Sequence, residues 1–341
     1  MFLDTDQPAS GAAFSTTDTF DFNQHNQLRK IGWLPQAIRL GPGDLGFCVH
    51  GVELADGVYV DQTWLSGAAS LEATAHPDSL LVGFFSGEGF RLQGASLPTA
   101  HLCVVPPGAR WDAASHRGGQ WQAVHFSGAA LRGALGDTAA AQIASLSEMA
   151  AGGTITAKLT GEAVALHDLL QAILRGAERA GVDRGRAEAL AQVQHRARVV
   201  IREVLSGVAK PVARSGYRRA QVARAAARMI GEGVHAGGPD AMDLDDVARA
   251  LGVSRRTVQL AFSEYFGVSF RTLYHAARLH RAHAMIRAQG HELSVTQIAT
   301  RCGFAHLGRF SRYYHRMFGR LPRDTRSLAW GGRVAARASE A

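Results

Sequence analysis

The apolar positions of this chain change period as the sequence proceeds, and each change predicts a different kind of element. From about Gln36 to Ser127 they fall in short, strand-like runs: GFCVHGVEL, GVYVDQTWL, SLLVGFFSG, GFRLQG, HLCVVPPG and QWQAVHFSG. Gly, Pro, Asp and Ser divide these runs at roughly ten-residue intervals, the cadence of a small antiparallel barrel or sandwich. From Thr160 to about Leu205 the period becomes helical. Val164, Leu166, Leu169, Leu170 and Ile173 form one broad apolar face, and Leu190, Val193, Ala197, Val200, Ile201 and Leu205 form a second. Two such helices beside a barrel can pack on it or pair with a second chain. Residues 1–25 are polar and rich in small side chains, which suggests a loose tail, and Ser206–Gly216 reads as an exposed linker.

The last third repeats itself. Val247-Ala248, Leu251-Gly252-Val253-Ser254, Phe262 and Phe266-Gly267 return some fifty residues later as Ile298-Ala299, Cys302-Gly303-Phe304-Ala305, Tyr314 and Phe318-Gly319. The spacing from alanine to first glycine is the same in both copies, as is that from the late aromatic to the final phenylalanine and glycine. One extra residue lies between them in the second copy. Each copy reads as helix, tight turn, helix.

The end signals support that reading. Asp243 can cap a helix over Leu244–Ala250, with Asp246 three residues on. Gly252 suits a left-handed helix end, Val253 plugs the turn, and Ser254 caps a second helix from Arg255 to Phe266. Val258, Ala261, Phe262 and Phe266 face inward there, while Arg255, Arg256, Gln259, Leu260 and Ser263 face outward. In the second copy Ser294 caps a helix carrying Val295, Ile298 and Ala299. Gly303 turns, Phe304 plugs, and a helix of about Leu307–Phe318 buries Phe310, Tyr314 and Phe318. Arg309, Arg312 and Arg316 face outward, with His306 and the small Gly308 at the leading end. Between the copies Ser269 can cap a long helix striped by Leu279, Ala282, Met285 and Ile286. Its roughly 19 residues would span about 28 Å. A rigid rod of that length suits two helices entering successive major-groove faces, about 34 Å apart along a duplex.

Charge sharpens the division. The chain has 341 residues and a net charge of +8. Residues 214–341 hold 21 Arg, no Lys and 9 acidic residues, leaving +12, whereas residues 1–213 come to −4. Codon bias can favour Arg over Lys, but it does not segregate charge. A basic domain attracts polyanions and releases their counterions on binding. No apolar run approaches the roughly 18 residues that cross a bilayer, and the acidic N-terminus lacks the basic flank of a secretory signal. Three dispersed cysteines, Cys48, Cys103 and Cys302, argue against a disulfide framework or zinc knuckle and fit a cytoplasmic location.

The stretches DLDDVARALGVSRRTVQLAFSEYFG and SVTQIATRCGFAHLGRFSRYYHRMFGRLP resemble the DNA-binding domain of the AraC/XylS family of transcription regulators. The resemblance covers about Ala220 to Arg326, and the second stretch is the more specific. It implies base-reading side chains early in each second helix: Arg255, Arg256, Gln259 and Leu260, then His306, Leu307, Arg309 and Arg312. Arg255 and Arg316 are read as phosphate contacts. Phe270 departs from the family, which usually has proline at the start of the linker helix. Leu307 and Gly308 bond poorly to bases, so the second unit is expected to read shape and phosphate more.

The expected architecture is α+β. A cupin-like antiparallel barrel or sandwich spans residues 26–158 and senses an effector, and a helical dimerisation segment spans 159–205. A linker follows at 206–217, then an all-α tandem helix-turn-helix domain at 218–328 and a tail at 329–341. The barrel and its effector, a homodimer and a bias toward activation come from the resemblance. Trp64, Phe84, Phe85, Trp111 and Trp121 are candidate pocket walls, and Arg39, Arg91 and Arg110 candidate anchors for an anionic effector. His50, His76, His101, His116 and His125 lack the paired spacing of a metal site, so no metal or other cofactor is expected. No catalytic constellation can be composed, and the chain is not expected to be an enzyme. The expected partners are double-stranded promoter DNA, RNA polymerase and a small-molecule effector, with no membrane. The rival readings are a constitutive DNA-binding dimer without effector and a barrel enzyme with an attached regulator module.

Overall fold

The strand cadence becomes two antiparallel sheets laid face to face. The computed structural model describes residues 12–16, 36–40, 45–93, 95–115, 117–180, 185–210, 217–236, 242–289 and 292–328. The strands are β1 (Ala12–Thr16), β2 (Gln36–Arg39), β3 (Leu45–Ala55), β4 (Val58–Ser66), β5 (Ala69–Thr74) and β6 (Ser79–Ser86). They continue as β7 (Arg91–Leu92), β8 (Ala95–Ser96), β9 (His101–Val105), β10 (Arg110–Ser115), β11 (Gly118–Ser127) and β12 (Ile155–Ala157). One sheet has the order β1-β3-β4-β11-β6-β9-β12 and the other β2-β5-β10-β7-β8. Residues 12–16, expected within a loose tail, pair with β3 instead.

Side chains alternate across each strand, so the seven-stranded sheet has two buried faces. One turns to the second sheet: Val49, Leu65, Leu81, Phe85, Cys103 and Trp121 pack with Leu71, Leu92, Trp111 and Ala113. The other is covered by helices. These are α1 (Gly128–Leu135), α2 (Ala139–Ala150), α3 (Gly161–Ala180) and α4 (Arg186–Leu205). Leu131, Leu146, Leu166, Leu170, Val200 and Ile201 share one core with Val60, Val82 and Val124. The helical stripe packs on the sheet. Val164 is the one member left substantially exposed, at 42%. In the expected linker residues 206–208 are exposed, whereas Ala209 is buried, and Lys158 N–H donates to the Lys210 carbonyl at 3.0 Å. Residues 211–216 lie outside the described residues.

The C-terminal third is helical: α5 (Tyr217–Ala236), α6 (Leu244–Ala250), α7 (Arg255–Phe266), α8 (Phe270–Gln289), α9 (Val295–Arg301) and α10 (Leu307–Phe318). Two cores divide it. Ala223, Ile230, Val247, Val258, Phe262 and Phe266 belong to the first. Ile298, Ala299, Phe304, Phe310, Tyr314 and Phe318 belong to the second. The first also takes in Leu40 and Ala114 from the smaller sheet, so it crosses the seam between domains.

Candidate nucleic-acid interface

Each unit is fixed by local chemistry that the sequence announces. Asp243 accepts from Asp246 N–H at 2.8 Å while the Asp246 carboxylate accepts in return, closing a capping box before α6. Ser294 and Gln297 close the same box before α9. Gly252 and Gly303 turn between helices at φ +63° and +76°, a region that disfavours side chains. Val253 N–H then donates to the Ala248 carbonyl at 3.0 Å, and Phe304 N–H to the Ala299 carbonyl at 2.9 Å. The turns are thus built alike.

They part at the next cap. Ser254 accepts from Thr257 N–H at 3.1 Å and starts α7. In the second copy Ala305 is the extra residue, and His306 precedes α10 with no side-chain cap bond. The second helices then run in register. Each has twelve residues, and each ends on a left-handed glycine, Gly267 or Gly319.

The rod α8 belongs to both cores. Phe270, Leu273 and Ala277 pack in the first, and Leu279, Ala282 and Ile286 in the second. Phe270, where the family usually has proline, lies edge-on to Phe262 with ring centres 5.4 Å apart. Ser269 accepts from Thr272 N–H at 3.1 Å and caps the rod as expected. Arg278 ties it to the second turn. Its Nε donates to the Cys302 carbonyl at 2.6 Å, and its guanidinium lies 4.4 Å from the Phe304 ring centre. A buried chain runs from the His283 Nδ1–Tyr314 hydroxyl contact on to Thr325, to which Tyr314 donates at 3.0 Å. His275 meets the edge of Tyr313 at 4.7 Å. Burial, aided by Arg278 and Arg271, pushes His275 below the usual imidazole range, so it is neutral near pH 7.

The candidate DNA-contacting side chains all lie outside these cores. Arg255, Arg256, Gln259 and Leu260 are exposed on α7, and His306, Leu307, Arg309, Arg312 and Arg316 are exposed at or on α10. Their settings differ. Arg255 is engaged by Asp245 at 2.7 Å. An open groove of about 560 Å³ runs along the end of α10, lined by Ser311, Arg312, His315, Arg320 and Asp324 among others. A methyl group at Gly308 would meet nothing within 4 Å, so the leading end of α10 is open to close approach.

The β domain treats its candidates unequally. Phe85, Trp111 and Trp121 come together between the sheets, with Phe85 and Trp121 stacked at 5.8 Å. Phe84 belongs to the opposite face, edge-on to His167 of α3 at 5.0 Å. Trp64 alternates with it on the Val58–Val60 side of β4 and is half-buried. They therefore line no common wall with the other three, because adjacent strand positions point to opposite faces. Arg110 pairs with Glu72 at the surface. The side chains of Arg39 and Cys48, and all of His116, lie outside the described residues.

Sequence reasoning missed two polar pairs. His125 Nε2 meets Asp61 Oδ1 at 2.7 Å, both almost fully buried, and Thr63 donates to the other Asp61 oxygen at 3.0 Å. Their strand parity turns them toward the second sheet. At the seam Arg224 of α5 donates to Asp112 of β10 at 3.0 Å. Burial, opposed by Arg224, pushes Asp112 up to about 6. Residues 64 and 112 positions apart carry no local signal of such pairing. Among the described residues no cluster of His, Cys, Asp or Glu could hold a metal ion, and no helix is long and apolar enough to cross a membrane.

Two capped helix-turn-helix units on one shared rod define a tandem DNA-binding module of the regulator type. A family model described as a helix-turn-helix domain matches residues 247–327. Over this domain the chain is similar to the AraC/XylS family of transcription regulators. It is 35% identical over 85 residues to the HTH-type transcriptional regulator GbdR of Pseudomonas aeruginosa, covering 25% of this chain and 23% of that protein. It is 36% identical over 87 residues to the HTH-type transcriptional activator RhaS of Shigella boydii, covering 26% and 31%. The chain thus matches only about a quarter to a third of the length of these curated relatives. A solved AraC-type regulator from Chromobacterium violaceum is 28% identical, over 32% of this chain and 92% of that one, with a TM-score of 0.29. ToxT of Vibrio cholerae aligns over 81% of this chain and 98% of its own at 11% identity and a TM-score of 0.27.

Proposed function

We propose that the chain is a sequence-specific, effector-responsive transcription regulator, with a bias toward activation, that binds double-stranded promoter DNA through both units at once. The carrying observation is the rod α8, whose side chains enter both cores and so fix two exposed, arginine-bearing helices in one body. At ~1.5 Å per residue the rod spans about 30 Å, close to the roughly 34 Å between successive major-groove faces. Arg312, Arg256 and Gln259 are the strongest candidates for base contact, and Arg309 and Arg316 for phosphate. RNA polymerase and a cytoplasmic setting belong to this reading.

The effector would act between the sheets, where buried Asp61, His125 and Thr63 supply polar anchors in an apolar interior. It must favour one arrangement of the domain seam over another, since equal affinity for two arrangements shifts nothing. The constitutive reading has support of its own: Phe85, Trp111 and Trp121 are packed into that same interior. A homodimer, if formed through α3 and α4, would rest on outer faces that offer Val164 and little other apolar surface.

The test is selection of preferred duplexes from a random library with the full chain, followed by binding at several salt concentrations. A defined site with steep, linear loss of log affinity against log salt is expected. Selection that returns no preferred sequence contradicts the proposal.

A further inference from the structure

The shared length and shared glycine stop of the two second helices set them in residue-for-residue register, with Arg255 matching Leu307 and Phe266 matching Phe318. That register shows which face of each helix is free. In α7, Ala261 is buried and Glu264 pairs with Arg219 of α5 at 2.7 Å, so this side belongs to the packing against α5. The opposite side carries Arg256, Gln259, Leu260 and Ser263 at helical spacing, all exposed. Its counterpart on α10 is Gly308, Ser311, Arg312 and His315, three of which line the open groove or its edge. Arg309 and Arg316 match Thr257 and Glu264, and so lie off this stripe.

One pair of matched positions differs sharply in chemistry. Leu260 stands where the second unit has Arg312. Leu260 is 38% exposed, and its neighbours on the stripe are an arginine, a glutamine and a serine. In the major groove the one apolar group on a base edge is the thymine methyl, whereas guanine O6 and N7 match the fork of an arginine.

Resting on the DNA-binding reading above, we propose that Leu260 reads a thymine methyl and Arg312 reads a guanine at equivalent places in the two grooves. Each chain's element is then polar and non-palindromic, because the two helices that grip it ask for different bases. Gln259, beside Leu260, adds a preference for adenine at a neighbouring position.

The experiment uses the full chain and the duplex that selection returns. Replacing thymine by deoxyuridine, one position at a time, removes only the methyl group. One such change in the first half of the element should weaken binding about threefold to fivefold, the worth of one buried methyl. Leu260→Ala should bind more weakly and no longer distinguish the two bases there. In the second half, 7-deazaguanine at one position should weaken binding about tenfold with the parent chain and have little effect with Arg312→Ala. Leu260→Arg should move the selected base from thymine toward guanine at one position. A selected element whose deoxyuridine forms all bind like the parent, or whose sensitivity persists in Leu260→Ala, overturns the base assignment and leaves the DNA-binding reading intact. If no element is selected at all, both fall.

Discussion

The two helix-turn-helix units share the capping box of the first helix, the turn and the helix lengths, yet they are anchored differently. The first borrows stability from outside itself. Its core continues through α5 to Leu40 and Ala114 of the β domain, and Arg224–Asp112 spans the same seam. The second closes on itself. Phe304, Phe310, Tyr314 and Phe318 pack with each other and with His283, and the Tyr314 hydroxyl is tied to Thr325. The contrast teaches that duplication of a binding unit need not duplicate its couplings. A change in the β domain can reach the first grip directly, and can reach the second through the rod.

The largest way to break the contrast is to empty a core. Phe310→Ala removes a fully buried ring from the second unit and should cost about 3–5 kcal/mol there. Its loss should leave the first unit and the seam protected, because neither draws on Phe310. Hydrogen exchange resolved by segment checks this. Deprotection confined to the second half of the rod and residues 292–328 is expected, and equal deprotection across α5 and β10 would contradict it.

A smaller effect compares the turns. Alanine at either Gly252 or Gly303 must take a left-handed backbone, a strain of roughly 1–3 kcal/mol. A Cβ at Gly252 would meet nothing within 4 Å, whereas one at Gly303 would lie 2.8 Å from the Arg278 guanidinium. Gly303→Ala should therefore lower the melting temperature more than Gly252→Ala, and equal shifts would remove Arg278 from the account of the second turn.

The smallest effect sharpens the seam. Asp112 rises from 3.8 to about 6 on burial, so between those values the folded chain keeps a proton that the unfolded chain has lost. This group then subtracts stability as pH rises through that window and has no further effect above it. Asp112→Asn should gain on the parent in melting temperature between about pH 4 and 6. Parallel curves would show that the carboxyl does not titrate in that range.

Much of this was legible in the sequence where the signal is local. A capping residue, a left-handed glycine and an apolar stripe lie within one or two turns of each other, so the helices at Arg255–Phe266 and Leu307–Phe318 emerge with their boundaries. The β domain was legible as a cadence only. β5 (ASLEAT) and β10 (RWDAAS) are short and rich in small residues, and their alternation is too brief to separate from a loop. The helices over Gly128–Leu135 and Ala139–Ala150 bury only Leu131, Ala134 and Leu135 and then Ala139, Leu146 and Ala150, too few large apolar positions to stand out as a stripe. Which aromatics share a face depends on strand parity, and parity is set by pairing that no single strand reveals. Asp61–His125 and Asp112–Arg224 are products of tertiary register alone.

The central claim is that one stiff chain grips two successive turns of the same duplex face. Inserting five base pairs between the halves of the selected element rotates one half by about half a turn. The account predicts that affinity for this duplex falls to that of a single half, and that a ten-base-pair insertion leaves it there, because the rod cannot lengthen to bring the second grip back. Undiminished binding to the five-base-pair insertion would mean the two units act independently, and would contradict the account.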